Sequence, residues 1–379
     1  MNDVLAENGA APAETPGAGR MVGQDIAKGV AIILVLALHT LTLKRNIYTI
    51  VGGFFGYIMP YFFFMAGYNH RPGKYTYRQI IVRRAKQIAV PFLKYTFAIT
   101  IIAGAYYMIA KGYTLRMVGE TCLALLITKS FSTVIGLETA PGLFSCIMAG
   151  WFLEMLFTAS LVFYAVADYA LAEAPRLLSV IPGLLLVTML FAHFDVCLPF
   201  YICEAPAIAA IMLVGAFFGQ KQLLSNRFPR RSIVVNSLVA YALFVLLAAA
   251  FQGAGFIAGG RLWNSTLKEW TVLLSAAFAV TGTYPFVHAC RSLRNTGVLA
   301  KGLIWCGNHS MQLLLIHGIV QLFLCELLGM EPFRMSFFTS ENDFRTFYLL
   351  ALEIAVSALV ILALEKIKTA LRRKSAVKG

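Results

Sequence analysis

The chain has 379 residues, 59% of them hydrophobic and 13% charged, with a formal net charge of +14 and a mean hydropathy of +0.74. That charged share is about half that of a typical soluble domain, which excludes an ordinary soluble fold. The basic residues are spread over short segments beside apolar runs, so nucleic-acid binding is excluded too, and anionic lipid headgroups are the expected counter-charge.

Residues 1–22 are rich in Ala, Gly, Pro and Glu and have no apolar core, so a disordered cytoplasmic tail is expected, neither signal nor helix. Apolar runs then recur, each long enough to cross a hydrocarbon core of about 30 Å. They predict ten helices, near 26–43, 50–69, 88–110, 147–171, 178–194, 199–219, 233–251, 270–290, 302–325 and 346–366. Between 111 and 146 the apolar stretch 117–127 is too short to span, and an external or re-entrant loop with an interfacial helix is expected there. The fold class is therefore all-α, a polytopic integral membrane protein of about ten transmembrane helices. One membrane domain covers 23–367, followed by a basic cytoplasmic tail at 368–379.

Charge placement orients these helices. With the N-terminus inside, cytoplasmic segments hold 22 of the 32 Lys and Arg, and external loops hold nine: Lys44, Arg45, Lys111, Arg116, Lys129, Arg261, Lys268, Arg334 and Arg345. Lys94 falls within the third helix. The bias places both termini in the cytoplasm. Seven cysteines are scattered without a CxxC pair, as expected of small buried residues, although Cys122 and Cys146 share the external loop and could form a disulfide. No metal-ligand pattern, internal repeat or oligomerisation signal is visible.

The first helix carries Asp25, Lys28 and His39. Eleven residues return Lys28 and His39 to within about 20° of one face, about 16 Å apart along the axis. Lysines at helix ends commonly snorkel to headgroups. A histidine inside the membrane is costlier and points to a cavity or a partner. The second helix ends in an aromatic run around Gly67, a residue that permits close helix contact. Arg83 and Arg84 stand where the third helix begins. Topology alone accounts for basic residues there, but paired guanidinium groups also suit phosphate.

Trp151 opens the fourth helix as an interface anchor. Glu154, one turn deeper, has no adjacent basic residue and is expected to face a cavity or titrate. Glu204 and Glu353 hold comparable outer-half positions, and one of these three carboxyls is expected to be structural only. Ser310 and His317, seven residues apart, share a face of the ninth helix. Packing between polar helix faces produces the same pattern.

These stretches, in this order, resemble acyltransferase family 3, the multi-pass membrane enzymes that acylate extracytoplasmic glycans and other hydroxyl acceptors. The family pattern is a basic residue, ten intervening residues and a histidine, usually after an aspartate; Asp25, Lys28 and His39 match it. Lysine here replaces the more frequent arginine, as in the fucose-acetylase-like and enterobacterial-common-antigen-acetylase-like branches. The aromatic–glycine end of the second helix, the Arg83-Arg84…Pro91 stretch, the Trp151-Phe-Leu start and the Gly307-x-x-Ser310…His317 helix also fit, over about residues 24–366.

The resemblance implies an O-acyltransferase, most simply an O-acetyltransferase, in the bacterial plasma (inner) membrane. Its donor substrate would be cytoplasmic acyl-CoA, most simply acetyl-CoA, with no permanently bound cofactor and no metal. It implies His39 as general base and Lys28 as donor-orienting group, with Asp25 holding Lys28 or a donor group. Lys28, Arg83 and Arg84 would face the donor phosphates, and Trp151, Glu154, Ser310 and His317 would form the acceptor side. The short external loops favour a lipid-linked sugar or a glycan under assembly as acceptor. A secondary transporter of a small polar solute is the competing reading, but the inverted repeat common in that class is not seen.

Overall fold

The computed structural model describes residues 22–41, 58–73, 75–147, 150–224, 230–251, 269–330 and 343–376. Expectations for the N-terminal tail, for the start of the second helix and for Lys44, Arg45, Lys74, Arg261, Lys268 and Arg334 lie outside these. The chain is an all-α polytopic membrane protein. Eight helices among the described residues are long and apolar enough to span.

In chain order the helices are α1 (Val22–Thr40), α2 (Ile58–Tyr68), α3 (Tyr77–Arg84), α4 (Val90–Lys111), α5 (Leu115–Leu126), α6 (Lys129–Val134), α7 (Pro141–Ile147) and α8 (Trp151–Ala170). There follow α9 (Ala174–His193), α10 (Ala205–Gln220), α11 (Arg230–Phe251), α12 (Trp270–Ser292), α13 (Val298–Asn308), α14 (Ser310–Leu328) and α15 (Arg345–Ala376). The short α5 to α7 replace a spanning element between 111 and 147, in keeping with the interfacial reading. Cys122 and Cys146, placed there together by sequence, are both free thiols.

The third apolar run begins earlier than its hydropathy suggests. Thr76 accepts from the Gln79 N–H while the Thr76 N–H donates to Gln79 Oε1 at 3.0 Å, a reciprocal cap that starts α3 at Tyr77. Pro91 has no N–H to continue the ladder. One turn of π-helix, Ala85–Ala89, absorbs the defect, with the Val90 N–H reaching back five residues to the Ala85 carbonyl. The result is one apolar helical span over 77–111.

The ninth run was expected as a single helix over 302–325, and it is broken. α13 ends at Asn308 and α14 begins at Ser310, with His309 between them at φ −105° and ψ 15°. His309 Nδ1 donates to the Trp305 carbonyl at 2.8 Å, and that carbonyl also accepts the His309 N–H at 3.1 Å, so the break lies in the backbone angles at His309, which hydropathy alone does not register.

Lipid tails are as apolar as leucine, so these helices associate through close packing rather than through expulsion of water. The centre of the packing is the aromatic run of α2. Tyr61, Phe63 and Phe64 are fully buried; their rings meet Phe286 of α12 at 5.1 Å, Phe152 of α8 at 4.9 Å and Phe218 of α10 at 5.3 Å. Gly67 of α2 lies against the Met212 backbone of α10, the close helix contact its sequence setting suggested. α13 crosses α1 at Gly29 and Gly307, where backbone meets backbone with no room for a Cβ. Gly318 of α14 lies in the same way on the Cys146 backbone of α7. These contacts fix α1 and α14, the helices that carry His39 and His317.

Candidate active site

His39 occupies the last turn of α1. Its Nδ1 lies 2.7 Å from the Val35 carbonyl. A carbonyl can only accept, so Nδ1 carries the hydrogen and the neutral ring presents its lone pair at Nε2. His317 repeats the arrangement on α14, with Nδ1 2.8 Å from the Leu314 carbonyl. The two rings face each other with centroids 5.2 Å apart and planes at 54°. His317 is buried and His39 half-buried. Two imidazoles with fixed tautomers therefore share one place between α1 and α14.

Two further side chains hold the backbone beside them. Gln321 Nε2 of α14 donates to the His39 carbonyl at 3.2 Å. Thr40 Oγ1 lies 2.8 Å from the Leu36 carbonyl and 2.5 Å from Glu353 Oε2 of α15. Sequence reasoning missed Gln321 altogether, although it stands one helical turn beyond His317 on the same face. It left Glu353 undistinguished among three carboxyls.

At the other end of the α1 stripe Asp25 is buried and Lys28 half-buried. The Tyr61 hydroxyl donates to the Gln24 carbonyl at 3.3 Å, and Gly307 of α13 sits on the Asp25 carbonyl. The stripe thus enters the bundle between α2 and α13.

Arg83 and Arg84 do not act as a pair. Arg84 turns inward and donates to the Tyr164 hydroxyl of α8 at 2.5 Å. Arg83 is exposed, bonded to the Tyr75 hydroxyl, and lines an open groove of about 750 Å³ along α3 and the π turn. Arg78 and Lys86 line the same groove, with Gln79 and Gln87. Sequence reading passed over Arg78 and Lys86; Lys86, three residues on from Arg83, shares its helix face, while Arg78, five residues back, meets it only in the groove.

Nearby, His70 packs edge-on against Phe163 at 5.2 Å and lies 3.6 Å from Asp168. Burial pushes its imidazole below the ordinary value, Asp168 opposes that fall, and Arg84 adds to it.

Trp151 and Glu154 open α8 in a separate polar group. The Thr128 hydroxyl donates to Glu154 Oε1 at 2.9 Å. Thr128 holds φ at +79°, a strained value for a β-branched residue. Trp151 and Tyr201 rings lie 6.2 Å apart. Ser310 is at the start of α14, two turns from His317, beside His309. The His309 ring stacks on Trp305 at 4.3 Å and reaches Glu365 Oε1 at 3.2 Å. The sequence-derived residues thus fall into four places: His39 with His317, Asp25 with Lys28, the groove with Arg83, and Trp151 with Glu154. Ser310 stands apart from all of them, and Arg84 lies on Tyr164 of α8 outside the groove.

Among the described residues, no three His, Cys, Asp or Glu side chains converge as a metal site. Comparison with curated proteins and with solved structures returns no match. The sequence profile of the family-3 acyltransferase domain matches residues 22–364, spanning α1, His39, His317 and the groove. The chain belongs to acyltransferase family 3 and is an acyltransferase.

Proposed function

We propose that the chain is an O-acyltransferase of the bacterial plasma membrane, both termini cytoplasmic, moving an acyl group from cytoplasmic acyl-CoA to a hydroxyl of an extracytoplasmic or membrane-associated glycan. Acetyl is the simplest donor group. The observation that carries the reading is the tautomer of His39: Nδ1 is spent on the Val35 carbonyl, so Nε2 is available to take a proton.

In this reading His39 Nε2 accepts the proton of the acceptor hydroxyl as its oxygen attacks the thioester carbonyl. Collapse of the tetrahedral intermediate breaks the carbon–sulfur bond. The imidazolium returns the proton to the departing thiolate, so ester and free thiol form with protons balanced. His317 keeps the neighbouring face of His39 polar and dry. Lys28 orients the donor on its way along α1, Asp25 holds Lys28 or a donor group, and Arg83 with Arg78 and Lys86 receives the donor phosphates. Arg84 steadies that helix against α8 while adding positive charge. Trp151 and Glu154 form the acceptor side.

The test is label transfer. Purified protein in proteoliposomes should bind radiolabelled acetyl-CoA, and membranes containing it should move that label into glycan. Mass spectrometry of surface glycans from a deletion strain should show one ester lost. A protein that binds no acetyl-CoA, or a deletion that leaves every ester in place, contradicts the proposal.

A further inference from the structure

We propose that Glu353 is a positioning residue for His39, acting through Thr40 without touching the substrate; this rests on His39 being the general base. His39 and Thr40 form the end of α1, where the last carbonyls of a helix have no partner of their own. Two helices reach across to this end. Gln321 Nε2 of α14 takes the His39 carbonyl at 3.2 Å, and Glu353 of α15 meets the Thr40 hydroxyl at 2.5 Å. Thr40 in turn bonds the Leu36 carbonyl, and His39 the Val35 carbonyl, so all four contacts lie within the last two turns of α1.

Glu353 does not serve packing well. It is 0% exposed, its Oε1 has no hydrogen-bond partner among the described residues, and neither has the Oγ of Ser357 one turn along. A buried, half-satisfied carboxyl is a poorer filler than Leu or Met of similar volume. Retaining one at a helix junction signals a functional constraint that overrides local stability. Here the constraint is the setting of α1's last turn, since a small rotation there swings Nε2 away from a reacting hydroxyl. Of the three outer-half carboxyls, this one belongs to the machinery of His39.

The experiment measures transfer from [14C]acetyl-CoA into endogenous glycan in membranes holding equal amounts of each variant. Thr40→Val and Glu353→Met should each lower the rate at saturating acetyl-CoA by about 10- to 100-fold, with the donor KM unchanged. Thr40→Ser, which keeps the hydroxyl, should restore most of the rate. The double variant should be no worse than either single one, because both break one link. If Glu353→Met is not recovered from membranes, Glu353→Gln replaces it; the amide still hydrogen-bonds Thr40 and should act within about threefold of the parent, and a loss as large as that of Thr40→Val would overturn the proposal. Wild-type rates in Thr40→Val, multiplying losses in the double variant, or a raised donor KM would overturn the proposal. A fully active His39→Ala control ends the general-base reading instead, whatever the other variants do.

Discussion

His39 of α1 and His317 of α14 meet ring to ring, 5.2 Å between centroids, each with Nδ1 committed to a carbonyl of its own helix. The pair therefore offers two lone pairs and no competing donor. Replacing His317 by Leu removes the ring that sets the orientation of His39 and is expected to lower kcat by about 100-fold, the cost of a misplaced catalytic group, while the acetyl-CoA KM stays within about threefold. A His317→Leu enzyme with wild-type kcat would reduce the ring contact to packing.

The basic groove gives a different signature. Arg78, Arg83 and Lys86 line it together. Removing one charge-assisted hydrogen bond to phosphate should raise the acetyl-CoA KM by about 10-fold and leave kcat nearly unchanged. Steady-state kinetics on Arg78→Ala and Arg83→Ala would check this, and rising salt should mimic the effect. A fall in kcat at constant KM would place the donor elsewhere.

The α1–α13 crossing has no tolerance for side chains. A Cβ on Gly29 would run into the Leu303 carbonyl, and one on Gly307 into the Asp25 carbonyl. Gly29→Val is expected to destabilise the protein by about 3 kcal/mol or more, because backbone on both sides must move. Thermal unfolding in detergent measures this directly, with Gly302→Ala as control, since a Cβ there meets nothing. Equal melting temperatures for Gly29→Val and the parent would contradict the crossing.

His70 makes stability depend on pH in a defined direction. Burial first, and the charge of Arg84 last, push its pKa below 6.5, with Asp168 acting the other way. The unfolded chain then binds more protons than the folded one below about pH 6.5. Its share of stability is complete above that pH and is lost as pH falls through the unfolded value toward the lower folded one. The melting temperature should drop between pH 7.5 and 5.5, and His70→Gln should flatten that slope. An unchanged slope in the variant would assign the pH dependence to other groups.

Most of the architecture was legible because spanning a membrane imposes long apolar runs and leaves basic residues between them. The runs at 147–171, 178–194 and 270–290 match α8, α9 and α12 within a few residues. Hydropathy failed where hydrogen bonding decides. It did not register the cap at Thr76 that adds α3, the missing N–H of Pro91 beside the π turn, or the non-helical backbone at His309 where α13 ends. The site was legible along α1, since an eleven-residue spacing puts Lys28 and His39 on one stripe without help from other helices. What spacing could not show is what meets that stripe. His317 was assigned to the acceptor side, yet its ring lies on His39, and Glu353 reaches Thr40 across 313 positions of chain. The pairing of Arg83 with Arg84 looked natural in sequence, but adjacent helical residues point about 100° apart, and here one faces the groove and the other α8.

The central claim is that Nε2 of His39 takes the acceptor proton. Its most direct test is acetyl transfer from radiolabelled acetyl-CoA in membranes carrying His39→Ala at parental expression, with donor binding measured on the same protein. The account predicts transfer reduced by about 100-fold or more and acetyl-CoA binding retained, since His39 lies about three turns from Lys28. Undiminished transfer by His39→Ala would contradict it.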